Sequence, residues 1–371
     1  MATSSQNYVI RGTSLSRILR RDYGSAPNAM LLPTTGCTTV RAATLRLAMT
    51  EGSESTSTPA QQRVVVAGLD GVLVDSEPAT TRCAWQTASR LWPEVMEAAA
   101  EVPEQQAGVR RAWVNYDWTA LTGEADDGMP SWLSAKLRQL RPLVRDSGYE
   151  AVLLARLCAE EALAASRGSR GSRPLSVGEI EAGWADGLRA VLMARYGVER
   201  QELLESHESV SEEWWSADPS GWLRANPLYD GAAAALRRSR DEPGSRLVLL
   251  TRRQPWQARA LLEHAGADVS EVELVDPAEW EGSSKANALA ALRRESPGAT
   301  FSFVDDSAAT VVRCAADPRL LPVALYFASY GYSSAAQRAS TGAVPRLRTL
   351  TDGHGLLDVM GTGASDHSAT G

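Results

Sequence analysis

The chain has 371 residues, 44% of them hydrophobic and 22% charged, an ordinary globular composition that excludes collagen-like, coiled-coil and wholly disordered chains. Its 38 Lys and Arg against 45 Asp and Glu leave a net charge of −7. Arg11, Arg17, Arg20, Arg21, Arg41 and Arg46 fall in the first 60 residues beside only Asp22, Glu51 and Glu54, so the rest of the chain is acidic enough to repel a phosphate backbone and nucleic acid is not an expected partner.

Residues 1–62 are rich in Ser, Thr, Ala and Arg, poor in acids and free of Lys. That is the composition of an organelle transit peptide, with a disordered N-terminus as the alternative. It predicts an organelle location, in the chloroplast (plastid stroma) or the mitochondrion. A secretory signal fits less well, because no apolar core follows a basic start. No uncharged apolar run approaches the roughly 18–20 residues of a membrane-spanning helix, so no membrane partner is expected. Cys37, Cys83, Cys158 and Cys314 are too scattered for a zinc site or a disulfide framework and read as reduced thiols.

At Arg63 a β-branched run begins, Val64-Val65-Val66-Ala67, and it stops in Gly68-Leu69-Asp70-Gly71. A buried parallel strand leading into a turn is the natural reading. Similar runs recur at 246–250, 272–275, 301–304 and 323–327, separated by helical patterns at 232–240, 254–265, 285–294 and 308–316. Such alternation predicts an α/β fold, a Rossmann-like parallel sheet with helices on both faces. Between the first two strands lie about 160 residues without a strand pattern. They hold amphipathic stretches at 80–99, 130–140, 149–165 and 180–196, and most of the eleven Trp. A loop of that length needs structure of its own, so an inserted α-helical domain is expected. The predicted organisation is 1–62 transit peptide or disordered, 63–80 plus 226–352 α/β core, 81–225 helical insert, and 353–371 a disordered tail. The Ser166–Arg173 stretch, alternating Ser, Arg and Gly, reads as a linker within the insert.

Polar residues stand just past the carboxyl ends of the predicted strands, where open parallel sheets bind ligands. They are Asp70, Thr251 and Asp305-Asp306, joined by Lys285 in the first turn of a helix. Carboxylates, a hydroxyl and one of only two lysines make a plausible phosphoryl-transfer site. Each residue also has a plainer role: Asp70 in an Asp-Gly turn, Thr251 and Ser283 or Ser284 as helix N-caps, Lys285 solvated, and Asp305-Asp306 capping the helix at 308–316. The histidines, His207, His264, His354 and His367, lack metal spacing and read as incidental. Trp214-Trp215 with Trp222 reads as packing between the insert and the core rather than as an aromatic lid.

The run from Val64 to Glu77, with Asp70-Gly71 and Asp75-Ser76, resembles the first motif of the haloacid dehalogenase superfamily. Thr251 resembles its second motif, Lys285 its third and Asp305-Asp306 its fourth. The position of the insert resembles the subgroup with an α-helical cap that includes phosphoglycolate phosphatase-like and β-phosphoglucomutase-like enzymes. Further stretches, Arg141-Pro142-Leu143-Val144, Asn226–Gly231 and Tyr330-Gly331-Tyr332, resemble uncharacterised plastid members of plants and algae. The resemblance implies Asp70, Thr251 and Lys285 as catalytic residues, and a Mg²⁺ ion held by Asp305, Asp306, the Leu69 carbonyl and waters. It also implies a departure. The family's nucleophilic Asp, which ligates magnesium as well, stands where this chain has Gly68.

Glycine offers neither a nucleophile nor a metal ligand. Losing one member of a concerted catalytic unit removes about 10⁴–10⁶ in rate. The expected function is therefore a phosphatase-like scaffold with impaired catalysis that binds a small phosphorylated metabolite or a partner. The alternatives are an active Mg²⁺-dependent phosphomonoesterase in which water attacks directly, assisted by Asp70, and an interaction protein docking through its Trp-rich insert.

Overall fold

The computed structural model describes residues 62–108, 128–145, 148–168, 173–279 and 284–361. The expected targeting segment lies outside them, as do Cys37, Trp113, Trp118, Ser283, His367 and part of the 166–173 stretch.

In chain order the strand β1 (Arg63–Gly68) is followed by the helices α1 (Glu77–Leu91), α2 (Pro93–Ala100), α3 (Ser131–Leu140), α4 (Tyr149–Ser166), α5 (Val177–Ala185), α6 (Leu188–Tyr196), α7 (Arg200–Ala217) and α8 (Pro219–Arg224). Then come α9 (Ala232–Asp241), β2 (Ser245–Leu250), α10 (Pro255–His264), β3 (Val272–Val275), α11 (Lys285–Glu295) and β4 (Thr300–Asp305). The chain closes with α12 (Ala308–Ala316), β5 (Val323–Ala328), α13 (Ala335–Thr341), β6 (Leu347–Leu350) and α14 (Gly355–Met360).

The six strands form one all-parallel sheet in the order β3-β2-β1-β4-β5-β6. Alternating side chains explain how both faces come to be dry. Val65 and Ala67 of β1 join Leu247 and Leu249 of β2 in a core closed by Leu236, Leu261 and Leu356 from α9, α10 and α14. Val64 and Val66 point the other way, into a core with Phe301, Phe303, Leu289 and Val311 from β4, α11 and α12. The strand order reverses direction between β1 and β4, and a sheet of this kind opens its ligand crevice at the carboxyl ends beside that reversal.

Among the described residues, the eight helices between β1 and α9 pack largely on one another. The helix α4 is central to them, with Val152, Leu153, Leu154, Cys158 and Ala162 fully buried. The helix expected over 180–196 is two, because Gly187 adopts a left-handed φ of 95° between α5 and α6. Neither α7 nor α8 stood out in the sequence. Among the described residues no helix is long and apolar enough to cross a membrane, and Cys83, Cys158 and Cys314 are buried and in no disulfide.

The tail requires a correction. Residues 355–360, expected to be disordered, form α14, and Leu356, Val359 and Met360 are each 0% exposed in the core that α9 shares. Six residues with three apolar side chains on one stripe are too short a signal beside Gly-rich neighbours; only the tertiary partner makes the helix. Leu356→Ala is therefore expected to cost about 2–5 kcal/mol. A urea denaturation midpoint unchanged from native would show that the segment does not belong to the core. The strand β6 and the helix α13 were likewise not expected, each being short and half exposed.

Candidate functional site

The five residues singled out in the sequence, Asp70, Thr251, Lys285, Asp305 and Asp306, line one cavity of about 420 Å³. They surround the carboxyl ends of β1, β2 and β4. The first turn after β1 is held by Leu73 and Val74 N–H groups donating to the Leu69 carbonyl, at 2.9 and 3.1 Å. Gly71 has φ 77° there, and a Cβ on it would lie 2.2 Å from the Asp306 carboxylate, so this position admits only glycine.

Gly68 ends β1 with nothing but backbone. A Cβ built on it would sit 3.1 Å from Asp305 Oδ2 and 3.4 Å from Lys285 Nζ. These two groups meet each other directly, Lys285 Nζ donating to Asp305 Oδ2 at 2.5 Å. Burial alone would lower the Lys285 pKa, but the Asp305 charge and hydrogen bond, with Asp306 and Asp70 behind them, raise it above the ordinary value. Lys285 is thus an ion-pair partner and not a solvated first-turn residue.

Asp70 is engaged as well. Arg253 donates through Nε to Asp70 Oδ1 and Oδ2 at 3.0 and 3.2 Å, and its Nη2 lies 2.8 Å from Oδ1. Arg253 Nη2 also donates to Asn226 Oδ1 at 3.0 Å. Burial would raise the Asp70 pKa, but the Arg253 charge and hydrogen bonds, with Arg141 and Ser76, outweigh it and hold the carboxyl below its ordinary value. Thr251 places this arginine. Its Oγ1 accepts the Arg253 N–H at 3.1 Å, while its own N–H pairs with the Val275 carbonyl. Thr251 is not the N-cap of α10; Gln254 occupies that position.

Asp305 is 0% exposed and its Oδ1 accepts the Ser307 N–H at 3.0 Å. Asp306 Oδ2 accepts the Tyr332 N–H at 2.9 Å. Burial and the neighbouring Asp305 push the Asp306 pKa up, against Lys285, that hydrogen bond and Arg141. The N-caps belong to serines, Ser284 for α11 and Ser307 for α12.

A magnesium ion does not fit this donor set. Gly68 supplies no side-chain oxygen, Asp305 is engaged at Oδ2 by Lys285 and at Oδ1 by the Ser307 N–H, and no group of three or more His, Cys, Asp or Glu is placed to hold a metal among the described residues.

Residues given no role from the sequence complete the cavity. Arg141 follows α3, stacks its guanidinium 4.0 Å over the Tyr332 ring, and donates to the Val144 carbonyl at 2.8 Å and Ser76 Oγ at 3.3 Å. Arg145 Nη1 reaches Ser307 Oγ at 2.6 Å. The Arg252-Arg253 pair just after Thr251 was a usable signal, and Arg141 stood in a stretch that carries a resemblance without being given a role; Arg145 had no signal, because its approach depends on how the insert docks. His207, judged incidental, also lines the cavity. Burial lowers its pKa to about 4, against a hydrogen bond with the Thr80 backbone and with the Arg253 and Arg141 charges adding to the fall. Trp222 is 1% exposed, donates to Ser211 Oγ at 3.0 Å, and packs with Trp215 and Trp256. The aromatic cluster is mainly packing, as expected, though Trp222 reaches the cavity wall.

Beside the cavity Glu77 is 1% exposed, accepting from Thr81 Oγ1 at 2.7 Å and Arg138 Nη1 at 3.1 Å. Burial pushes its pKa up to about 7, with Asp75 adding and Arg138, Thr81 and Arg141 opposing. A carboxyl whose folded pKa exceeds its unfolded one stabilises the fold at pH below the unfolded value. That contribution is lost as pH rises through about 7. The stability difference between native protein and Glu77→Gln should therefore change by on the order of 3 kcal/mol from pH 4 to 8, native losing ground as pH rises. Parallel stability–pH curves for the two proteins would contradict the assignment.

No family model matches the chain, and no curated protein matches it. Among solved structures it is similar to a predicted phosphoglycolate phosphatase from Haemophilus somnus 129PT, at 12% identity over 81% of this chain and 99% of that one, with a TM-score of 0.45. A predicted phosphatase from Clostridium acetobutylicum shares 14% identity over 78% of this chain and 94% of its own, TM-score 0.39. A haloacid dehalogenase-like family hydrolase from Streptococcus pneumoniae shares 10% over 81% and 97%, also with a TM-score of 0.39.

Proposed function

We propose that this chain is a phosphatase-type fold of the haloacid dehalogenase kind, with its inserted helices as the cap, that no longer turns over phosphate esters and instead binds a small phosphorylated metabolite. The observation that carries the reading is Gly68. It stands at the end of β1 where the chemistry needs a carboxylate, and the Lys285–Asp305 ion pair closes the space beside it. Asp70, which by resemblance is the acid and base, stays ionised because Arg253 holds it, so it carries no proton to give a leaving group at neutral pH. Direct attack by water, with ionised Asp70 as its base, would still leave an alkyl leaving group without a proton from Asp70.

Binding remains reasonable. Six cationic residues line the cavity (Arg141, Arg145, Arg252, Arg253, Lys285 and Arg313) against the acids Asp70, Glu208, Asp305 and Asp306. In a protein of net charge −7 that local excess favours an anion. The composition of residues 1–62 supports action in the plastid stroma; retention of a fluorescent fusion of these residues in the cytosol, or its delivery to mitochondria, would remove that part of the reading.

The test is calorimetric titration of the full chain with a panel of phosphorylated metabolites, beside an assay of phosphate release with and without Mg²⁺. Saturable binding without release is expected. Release that disappears in Asp70→Asn would overturn the proposal in favour of an active phosphomonoesterase.

A further inference from the structure

Resting on the reading of the cavity as an anion-binding site, we propose that the ligand's anionic group is held at the outer wall of the cavity by Arg141, Arg145 and Arg313, and not at the carboxyl ends of β1 and β2.

The inner end is already neutralised. Lys285 is paired with Asp305, and the Arg253 guanidinium with Asp70 and Asn226, while the Thr251 hydroxyl oxygen accepts the Arg253 backbone N–H. An oxyanion arriving there meets cations whose charge Asp305 and Asp70 already balance, and so gains little.

The outer wall is different. Arg141 is fixed by its stack on Tyr332 and by single hydrogen bonds from Nη1 and Nη2. Its Nε is buried without a hydrogen-bond partner, and Nη1 and Nη2 each carry a second N–H beyond these bonds, on a planar fork suited to phosphate or carboxylate. Asp70 and Asp306 lie within electrostatic reach of this guanidinium, but Asp70 is doubly held by Arg253, and Asp306 already accepts the Tyr332 N–H. Arg145 spans to Ser307, the N-cap of α12. On the same helix, exposed Arg313 lines the same cavity and makes no hydrogen bond or ion pair among the described residues. Two of these arginines come from the insert and one from the sheet-bearing part, so an anion between them bridges the two.

The ligand class is a small oxyanion bearer, with phosphate and carboxylate sharing the chemistry. The test titrates inorganic phosphate and, separately, malonate into native protein, Arg141→Gln and the double variant Arg145→Gln/Arg313→Gln. The double variant changes only exposed side chains, so it keeps the proposal open to refutation if Arg141→Gln fails to fold. Phosphate affinity is expected to fall at least tenfold in the double variant and in any folded Arg141→Gln, with Arg145→Lys/Arg313→Lys restoring most of it. A fall of less than tenfold in the double variant overturns this placement while leaving the binding function intact. Tighter binding of malonate than of phosphate assigns the site to a carboxylate. If native protein binds neither probe nor any phosphorylated metabolite, the proposed function itself falls.

Discussion

Gly68→Asp is expected to bind Mg²⁺ where the native protein does not, and still to remain a poor phosphatase on alkyl phosphate esters. A Cβ at this position meets Asp305 Oδ2 at 3.1 Å, Val72 Cγ2 at 3.2 Å and Lys285 Nζ at 3.4 Å, so the neighbours give way by only a few tenths of an ångström. The new carboxylate then joins Asp305 and Asp306, and three such groups are the beginning of a site for a hard divalent cation. Without the cation, three carboxylates share one Lys285 and repel one another. The variant should therefore melt several degrees below native in a chelator and recover when Mg²⁺ is added, the signature of a ligand that binds only the folded state. Turnover should stay near background because catalytic members act as a unit, and Asp70 remains clamped by Arg253 as an anion without a proton to donate. Rates on alkyl phosphates a thousandfold above native would show that the clamp opens on ligand binding; no gain in Mg²⁺ affinity would show that Asp305 and Asp306 cannot be recruited.

How much of this was legible in the sequence depends on the range of the interaction involved. The strands β1 to β5 were readable because buried parallel strands are continuous β-branched or apolar runs, such as Val64-Val65-Val66-Ala67. The site residues of the core were readable for the same reason, since Asp70, Thr251 and Asp305 each stand where such a run stops. Their partners were not. That Asp70 pairs with Arg253 and Asp305 with Lys285 is a matter of which strand ends are neighbours. Arg141 and Arg145 enter the cavity from a segment whose placement depends on the packing of α3 and α4, which no local pattern encodes. The helix α14 was missed because its three buried side chains acquire meaning only against α9.

Lys285→Met is expected to be the most damaging substitution in the inner site, destabilising the fold by about 3–5 kcal/mol, because it leaves a buried carboxylate without its cation. Asp305 is 0% exposed, and among the described residues its carboxylate accepts, apart from Lys285, only the Ser307 N–H. The loss should be steep, since a charge confined in a dry interior has no water to replace its partner. The double variant Lys285→Met/Asp305→Leu tells whether the pair exists for stability. If the two groups merely neutralise each other, removing both should recover most of the loss, giving a coupling of several kcal/mol in the double-mutant cycle. Recovery also carries a functional meaning. A Lys–Asp pair that can be replaced by apolar residues without loss of anion binding is a remnant of an older site that the outer arginines have superseded. If the double variant folds but no longer binds phosphate, Lys285 is still part of the binding surface, and the inner end of the cavity has kept its ligand.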